Sequence, residues 1–280
     1  MQRGHECSLR YCLPAVVAAV TQKGVADLSE VSEVEEKLAR SLTAETTELI
    51  PYLPYLLQDL WELGSSPLDM LEMIRKHLPV AEETRILDLA CGKGAVSVIL
   101  AKKLGCTVRG IDLIPEFIAF AKKKAIEYGV EGLCEFMVGD VNQAVNTERG
   151  YDLVILGAAG DVLGTPEETI RKLEMTIKPE GYILLDDAYG KPGVADGYYS
   201  REEWLLLFEK TGVRLLAEKT IAEDELVELN REQQGYIRKR ANELMEKYPE
   251  KAGLFAGYLQ SQQAECDLLE NDITGVTMLL

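Results

Sequence analysis

Three acidic residues follow three short apolar runs at similar places: Asp88 in RILDL, Asp112 after VRGI and Asp140 after EFMVG. Gly92 and Gly94 lie between the first two. A carboxylate at the carboxyl end of a buried strand can accept both hydroxyls of a ribose. Glycine permits positive φ and lets the backbone approach a ligand with no Cβ in the way. A helix starting just after such a loop presents free N–H groups and a positive dipole end to a partly anionic guest. Three carboxylates suit the polar handles of an adenosyl group: its far chain, its ribose and its exocyclic amine. A pyrophosphate would be repelled by acids so close to the loop. The G-x-G spacing alone fits any tight strand-to-helix turn, and the repetition of the pattern is what gives it weight.

The elements that must position these residues read as alternating strands and helices. Arg85–Leu89 is short, aliphatic and suited to burial on both faces. A helix runs from about Ala95 to Leu104 and stops at Gly105, followed by a strand over 106–111. Pro115 opens a helix to Tyr128, Gly129 closes it, and Leu133–Val138 is a third strand. Asp152–Leu156 is a fourth. Thr165-Pro166-Glu167-Glu168 carries a capping-box pattern, and Ser200 with Glu203 a second. Between them, Pro179-Glu180-Gly181 is a turn before a fifth strand, Tyr182–Leu185. The second capped helix ends at Gly212, and Val213–Glu218 is a sixth strand. Upstream, Leu28–Ser41 is an amphipathic, acid-rich helix. Pro51 and Pro54 interrupt the helical pattern, which resumes over Tyr55–Leu63. Ser66-Pro67 begins a further helix to about His77.

With these landmarks the chain resembles the class I S-adenosylmethionine-dependent methyltransferases. DLACGKG is similar to their first motif, GIDL to the second, VGDV to the third, YDLVILGAAGDVLG to the fourth, and KPEGYILLDD to the approach to the fifth strand. The resemblance covers about residues 80–220, with the last strand near 273–280. It implies an α/β, Rossmann-like, doubly wound seven-stranded sheet whose last strand is antiparallel. N-terminal helices (1–80) precede the core (81–220), and a helical insertion (221–272) precedes the last strand (273–280). S-adenosyl-L-methionine is the expected cofactor and a small molecule the expected acceptor. Asp112 would hold the ribose hydroxyls, and Asp140 with the backbone of Val141 would read the adenine. Leu113 and Ile114 would pack on the adenine ring. Asp88, Ala90, Gly92 and Gly94 would shape the loop at the methionine end, and Gly157 would lie beside the transferring methyl. Ala90 departs from the glycine many members carry there.

About fifty residues separate the sixth and seventh strands, against typical loops of roughly 2 to 6 residues. The segment ELVELNREQQGYIRKRANELMEKY within that stretch is helical in composition. Inserted at the carboxyl edge of the sheet, it is expected to cap the pocket, with a dimerisation arm as the alternative. Tyr52, Tyr55 and Trp61 are aromatic candidates for closing over the site, against a role in packing between helices. Only His5 and His77 are present, so carboxylates and tyrosines at the carboxyl edge remain as proton acceptors. Asp161, Asp187 and Tyr189 are the catalytic candidates, with Asp186, Tyr198 and Tyr199 nearby. An Asp pair after a strand equally suits a turn.

The chain carries 30 basic and 47 acidic residues, a net charge of −17, which argues against nucleic acid and against an anionic membrane surface. The six cysteines (Cys7, Cys12, Cys91, Cys106, Cys134, Cys266) show no paired metal spacing, and no metal is expected. Free thiols favour the cytoplasm. The apolar run Tyr11–Val20 contains Pro14 and is short for a signal peptide, so export is not expected. Two other functions fit the same spacing. One is an NAD(P)-dependent oxidoreductase, disfavoured by Asp88 and Asp140. The other is a non-catalytic module that binds S-adenosylmethionine.

Overall fold

A computed structural model describes residues 28–193 and 197–280, with side chains from residue 33 onward. The apolar run Tyr11–Val20 and both Cys7 and Cys12 lie outside the described residues. Seven strands form one sheet in the order β3-β2-β1-β4-β5-β7-β6. They are β1 (Arg85–Leu89), β2 (Thr107–Asp112), β3 (Cys134–Val138), β4 (Tyr151–Leu156), β5 (Ile177–Gly190), β6 (Ala217–Thr220) and β7 (Ile273–Leu279). The first five run parallel, and β7 lies antiparallel between β5 and β6. The order reverses beside β1, so the strands diverge there and open a crevice at their carboxyl ends.

The central strands are apolar on both faces because both faces are covered. Along β1, Ile86 faces one way and Leu87 the other, and both are fully buried. On Ile86's side lie Met70 and Ile74 of α3 (Pro67–His77), Val98 and Ala101 of α4 (Ala95–Leu104), and Ile118 and Ala121 of α5 (Pro115–Tyr128). On Leu87's side lie Val145 of α6 (Val141–Thr147), Ile170 and Leu173 of α7 (Pro166–Glu174), and Trp204 and Phe208 of α8 (Arg201–Thr211). Both expected capping boxes form, at Thr165 and Ser200. Gly105, Gly129 and Gly212 each end a helix in the left-handed conformation.

A third apolar cluster joins the N-terminal region to the inserted helices. It packs Leu49, Leu53 and Leu56 against Ile237, Ala241, Leu244, Phe255 and Tyr258. The last five belong to a hairpin of α9 (Glu223–Lys247) and α10 (Ala252–Asn271). Arg240 of α9 also holds Asp59 through two hydrogen bonds of 2.6 and 2.7 Å.

Three elements differ from expectation. β5 runs Ile177–Gly190, through the expected turn at Pro179-Glu180-Gly181 and five residues past Leu185. The helix anticipated over Tyr55–Leu63 stops early: α2 spans only Leu53–Leu56, and the chain beyond is irregular. The carbonyls of Leu57 and Leu60, just beyond it, are captured by Lys93. The sixth strand begins at Ala217 rather than Val213, although Leu216 N–H already donates to Leu279 O at 2.8 Å.

Gly94 is the position where packing is tightest around the loop. Its φ is +72°, and a Cβ there would sit 2.7 Å from Ala121 Cβ and 2.9 Å from Phe136 Cζ. A left-handed L-residue costs roughly 1–2 kcal/mol, and overpacking about 1–3 more. Gly94→Ala is therefore expected to cost about 3 kcal/mol, which in a chain of this size lowers the melting temperature by roughly 6–12 °C. Thermal denaturation followed by circular dichroism checks this.

Candidate functional site

The loop after β1 makes three left-handed turns in alternate residues: Ala90 (φ +55°), Gly92 (φ +52°) and Gly94 (φ +72°). Cys91 between them is tied down by its N–H to Ile111 O at 3.1 Å. A non-glycine residue at positive φ is costly and persists where its surroundings dictate it. A second one, Ala158 (φ +47°), stands after β4 on the opposite side of the crevice.

Asp112 organises this loop. Its Oδ2 accepts the Gly92 N–H at 2.9 Å and its Oδ1 accepts the Ile114 N–H at 2.9 Å. The carboxylate is 7% exposed, and burial pushes its pKa up to about 6 against the pull of these backbone donors. Each oxygen still has a lone pair for a ligand hydroxyl. Asp88, 3% exposed, accepts the Ser97 hydroxyl, and burial raises its pKa to about 7. Asp140 caps α6, its Oδ1 taking the Asn142 N–H at 2.8 Å.

These groups line one pocket at the carboxyl edge of β1, β2 and β4. Of the ten residues expected to hold the cofactor, Asp88, Ala90, Gly92, Asp112, Leu113, Asp140, Val141 and Gly157 lie in its wall. Two do not. Gly94 is turned into the packing against α5. The Ile114 side chain is buried in the N-terminal cluster, beside Leu49 and Phe117, and only its N–H serves the site.

The pocket's cover is N-terminal. Val34, Lys37, Leu38 and Ser41 of α1 (Leu28–Ser41) follow the i, i+3, i+4, i+7 spacing of one helix face, and that face lines the pocket. Leu42, Trp61, Leu63 and Ser65 add the rest. Lys93 straps this cover to the glycine loop. Its ammonium, 3% exposed, donates to Leu57 O and to Leu60 O (2.6 Å), and the Trp61 indole N–H donates back to Lys93 O at 3.1 Å. The rings of Phe117 and Phe120 lie 5.6 and 5.1 Å from the Lys93 nitrogen. Burial pulls its pKa down to about 8.

The α9–α10 hairpin was expected to cap the pocket, but contributes none of its lining residues. It stands behind the cover, because its apolar face is already used against Leu49, Leu53 and Leu56. Tyr52 and Tyr55 follow it there. Tyr52 packs edge-on against Phe255, and the Tyr55 hydroxyl donates to Glu243 at 2.6 Å. Of the three aromatic candidates only Trp61 reaches the pocket.

None of the three catalytic candidates lines the pocket. Asp161 is exposed and pairs with Arg40 at 3.2 Å. Tyr189 is 8% exposed and donates its hydroxyl to Glu218 at 2.9 Å. Asp187 accepts the Ala188 N–H at 2.7 Å, and burial raises its pKa to about 6. The last two share one face of β5. Asp187 and Tyr189 alternate with Asp186, and Tyr189 packs with Trp204 in the cluster on Leu87's side. Sequence reading missed Lys93, Ser65 and the α1 face. A lysine between two loop glycines and the period of α1 were signals for the first and last. Ser65 had none beyond its place before a helix start.

Residues 81–250 match the family model described as a methyltransferase domain. The malonyl-[acyl-carrier protein] O-methyltransferase of Priestia megaterium is 35% identical over 104 residues, 37% of this chain and 36% of that protein. The putative methyltransferase YqeM of Bacillus subtilis is 33% identical over 133 residues, 44% of this chain and 50% of that one. The chain thus spans between a third and a half of the length of these curated relatives. A solved S-adenosylmethionine-dependent methyltransferase from Thiobacillus denitrificans, in complex with S-adenosyl-L-homocysteine, superposes with a TM-score of 0.67 at 21% identity, covering 82% of this chain and 97% of that one. One from Geobacter sulfurreducens, also with S-adenosyl-L-homocysteine, gives 0.68 at 20% identity, covering 81% and 96%.

Proposed function

The chain belongs to the methyltransferase-domain family, and from that premise we propose that it transfers a methyl group from S-adenosyl-L-methionine to a small molecule held under the N-terminal cover. The observation that carries this reading is the Asp112 carboxylate. It sits in the pocket wall, fixed by two backbone N–H groups, with lone pairs left to face a ribose diol. The acids nearby suit the rest of such a ligand: Asp88 a methionine ammonium, Asp140 an exocyclic amine. They disfavour a dinucleotide pyrophosphate through repulsion.

When bound, the sulfonium supplies an electrophilic methyl carbon. The protein's part is alignment and exclusion of water. Asp112 fixes the ribose, and the bare backbone of Gly92 and Gly157 lets Leu63 and Ser65 of the cover close over the loops. The α1 face with Trp61 and Leu63 keeps solvent out, which strengthens the fields of the buried carboxylates. A small acceptor is supported by this cover. Relatives named for malonyl-[acyl-carrier protein] and for demethylmenaquinone modify small or carrier-borne groups by name. A cytoplasmic location, where the methyl donor is made, belongs to the same reading. So do the absence of nucleic-acid and membrane partners, supported by the −17 charge, and a homodimer formed through the helical hairpin. Among the described residues no helix is long and apolar enough to cross a membrane.

Calorimetric titration tests the cofactor. Micromolar binding of S-adenosylhomocysteine with none of NADH is the expected outcome, and binding of NADH alone refutes it. Transfer from methyl-labelled S-adenosylmethionine then separates an enzyme from a binding module.

A further inference from the structure

Two buried polar atoms are left without a hydrogen-bond partner among the described residues: Ser65 Oγ and Asp186 Oδ1. They belong to one place. Ser65 is 9% exposed and lines the pocket, and its hydroxyl lies so close to Gly157 that a Cβ there would meet it at 2.3 Å. Gly64, at φ +100°, presses the same segment onto Ala158. Asp186 stands behind, on β5 opposite Thr277 of β7. The hydroxyls of Ser65 and Thr277 both favour its charged form, while burial opposes it and raises its pKa. Orphaned buried polar atoms are costly, and a native fold keeps them where something else will satisfy them. Ser65 lies at the end of β4, across β1 from the strand ends that carry Asp112 and Asp140.

Resting on the methyl-transfer reading, we propose that Ser65 and Asp186 form the acceptor subsite, and that the acceptor is a neutral or cationic hydroxyl or amine compound. Ser65 touches the acceptor, and Asp186 is a positioning residue that acts through it. A hydroxyl or amine donates its hydrogen bond to Ser65 Oγ, and Ser65 donates its own to Asp186. As the acceptor's oxygen or nitrogen bonds to the methyl carbon, the carbon–sulfur bond breaks and its electron pair stays on sulfur, leaving a thioether. The acceptor's proton moves to Ser65, and the Ser65 proton moves to the Asp186 carboxylate. A carboxylate acceptor has no proton to give, and would meet Asp186 with Asp88 nearby, a repulsion that excludes it. Asp69, Asp88 and Asp187 are the titratable groups whose charge is felt at or from Asp186, so its proton affinity is set by acids on every side.

The test uses the full chain, with Ser65→Ala and Asp186→Asn. S-adenosylhomocysteine affinity is expected to stay within twofold in both. Ser65→Ala should keep the parent's circular-dichroism spectrum, since alanine fits the space the serine fills. With methyl-labelled S-adenosylmethionine, the probes are catechol, benzyl alcohol, ethanolamine, malonate, benzoate and ethanethiol. Transfer to a hydroxyl or amine probe is expected, with kcat down about a hundredfold in either variant, and the acid limb of the parent's kcat profile gone in Asp186→Asn. Several results overturn the subsite: transfer confined to carboxylates or the thiol, no transfer to any hydroxyl or amine by a protein that binds S-adenosylhomocysteine, full rates in both variants, or weakened S-adenosylhomocysteine in them. A parent that fails to bind S-adenosylhomocysteine refutes the cofactor reading instead.

Discussion

An Asp112→Ala protein is expected to bind S-adenosylhomocysteine about a hundredfold more weakly than the parent, a loss of about 2.7 kcal/mol. The carboxylate does two jobs at once. It leaves lone pairs for two ribose hydroxyls, and a hydrogen bond to a charged group contributes roughly 1.5–3 kcal/mol. It also ties the glycine loop to the start of α5, through the Gly92 and Ile114 N–H groups. Alanine frees both donors, so the loop loses its anchor as the ligand loses its partner. Asparagine is no rescue, because its amide must turn a donor toward one of two N–H groups that already donate. Asp112→Asn is therefore expected to fall near alanine rather than near the parent. Calorimetric titration of the three proteins decides it, and unchanged affinity in Asp112→Ala would remove this residue from the site.

The part of this site built from the glycine loop and the strand ends was legible because its physics is local. A strand's apolar run, a glycine that must take positive φ, and an acid at the strand's carboxyl end lie within thirty residues of one another. That is why Asp88, Gly92 and Asp112 could be named, and why Pro115 and Gly129 bounded a helix where one forms. The cover was not legible, because it depends on contacts far apart in sequence. Nothing near Tyr55–Leu63 announces that the carbonyls of Leu57 and Leu60 will be taken by Lys93, more than thirty positions away. Nor does the composition of the hairpin say which surface its apolar face will find. That surface proved to be the N-terminal helices, not the pocket. Closeness to a strand end does not say whether a side chain reaches the pocket: among the catalytic candidates, Asp161 pairs with Arg40 and Tyr189 reaches Glu218.

Binding of S-adenosylhomocysteine near pH 6.5 is expected to release about one proton, and affinity to rise with pH through the range 6 to 7. Burial holds Asp88 near 7 and Asp112 near 6 in the ligand-free protein. Both values lie above those of an unfolded aspartate, near 3.9. Each group therefore favours the folded state below about pH 4, and that contribution is lost as pH rises through its folded pKa. Together the loss is about 7 kcal/mol by pH 8, a large share of a typical domain's 5–15 kcal/mol. Ion pairs such as Lys210–Glu167 act in the opposite direction, but they are exposed and contribute little. The ligand-free protein is thus expected to melt lower at pH 8 than at pH 6, with Asp88→Asn flattening the trend. A bound ligand changes the balance: an ammonium beside Asp88 and hydroxyls donated to Asp112 favour both charged forms. Near pH 6.5 Asp88 is mostly protonated and Asp112 partly so, which is why binding must expel close to one proton. Calorimetry in two buffers of different ionisation enthalpy measures that number directly. No proton release would mean that these carboxylates do not meet the ligand.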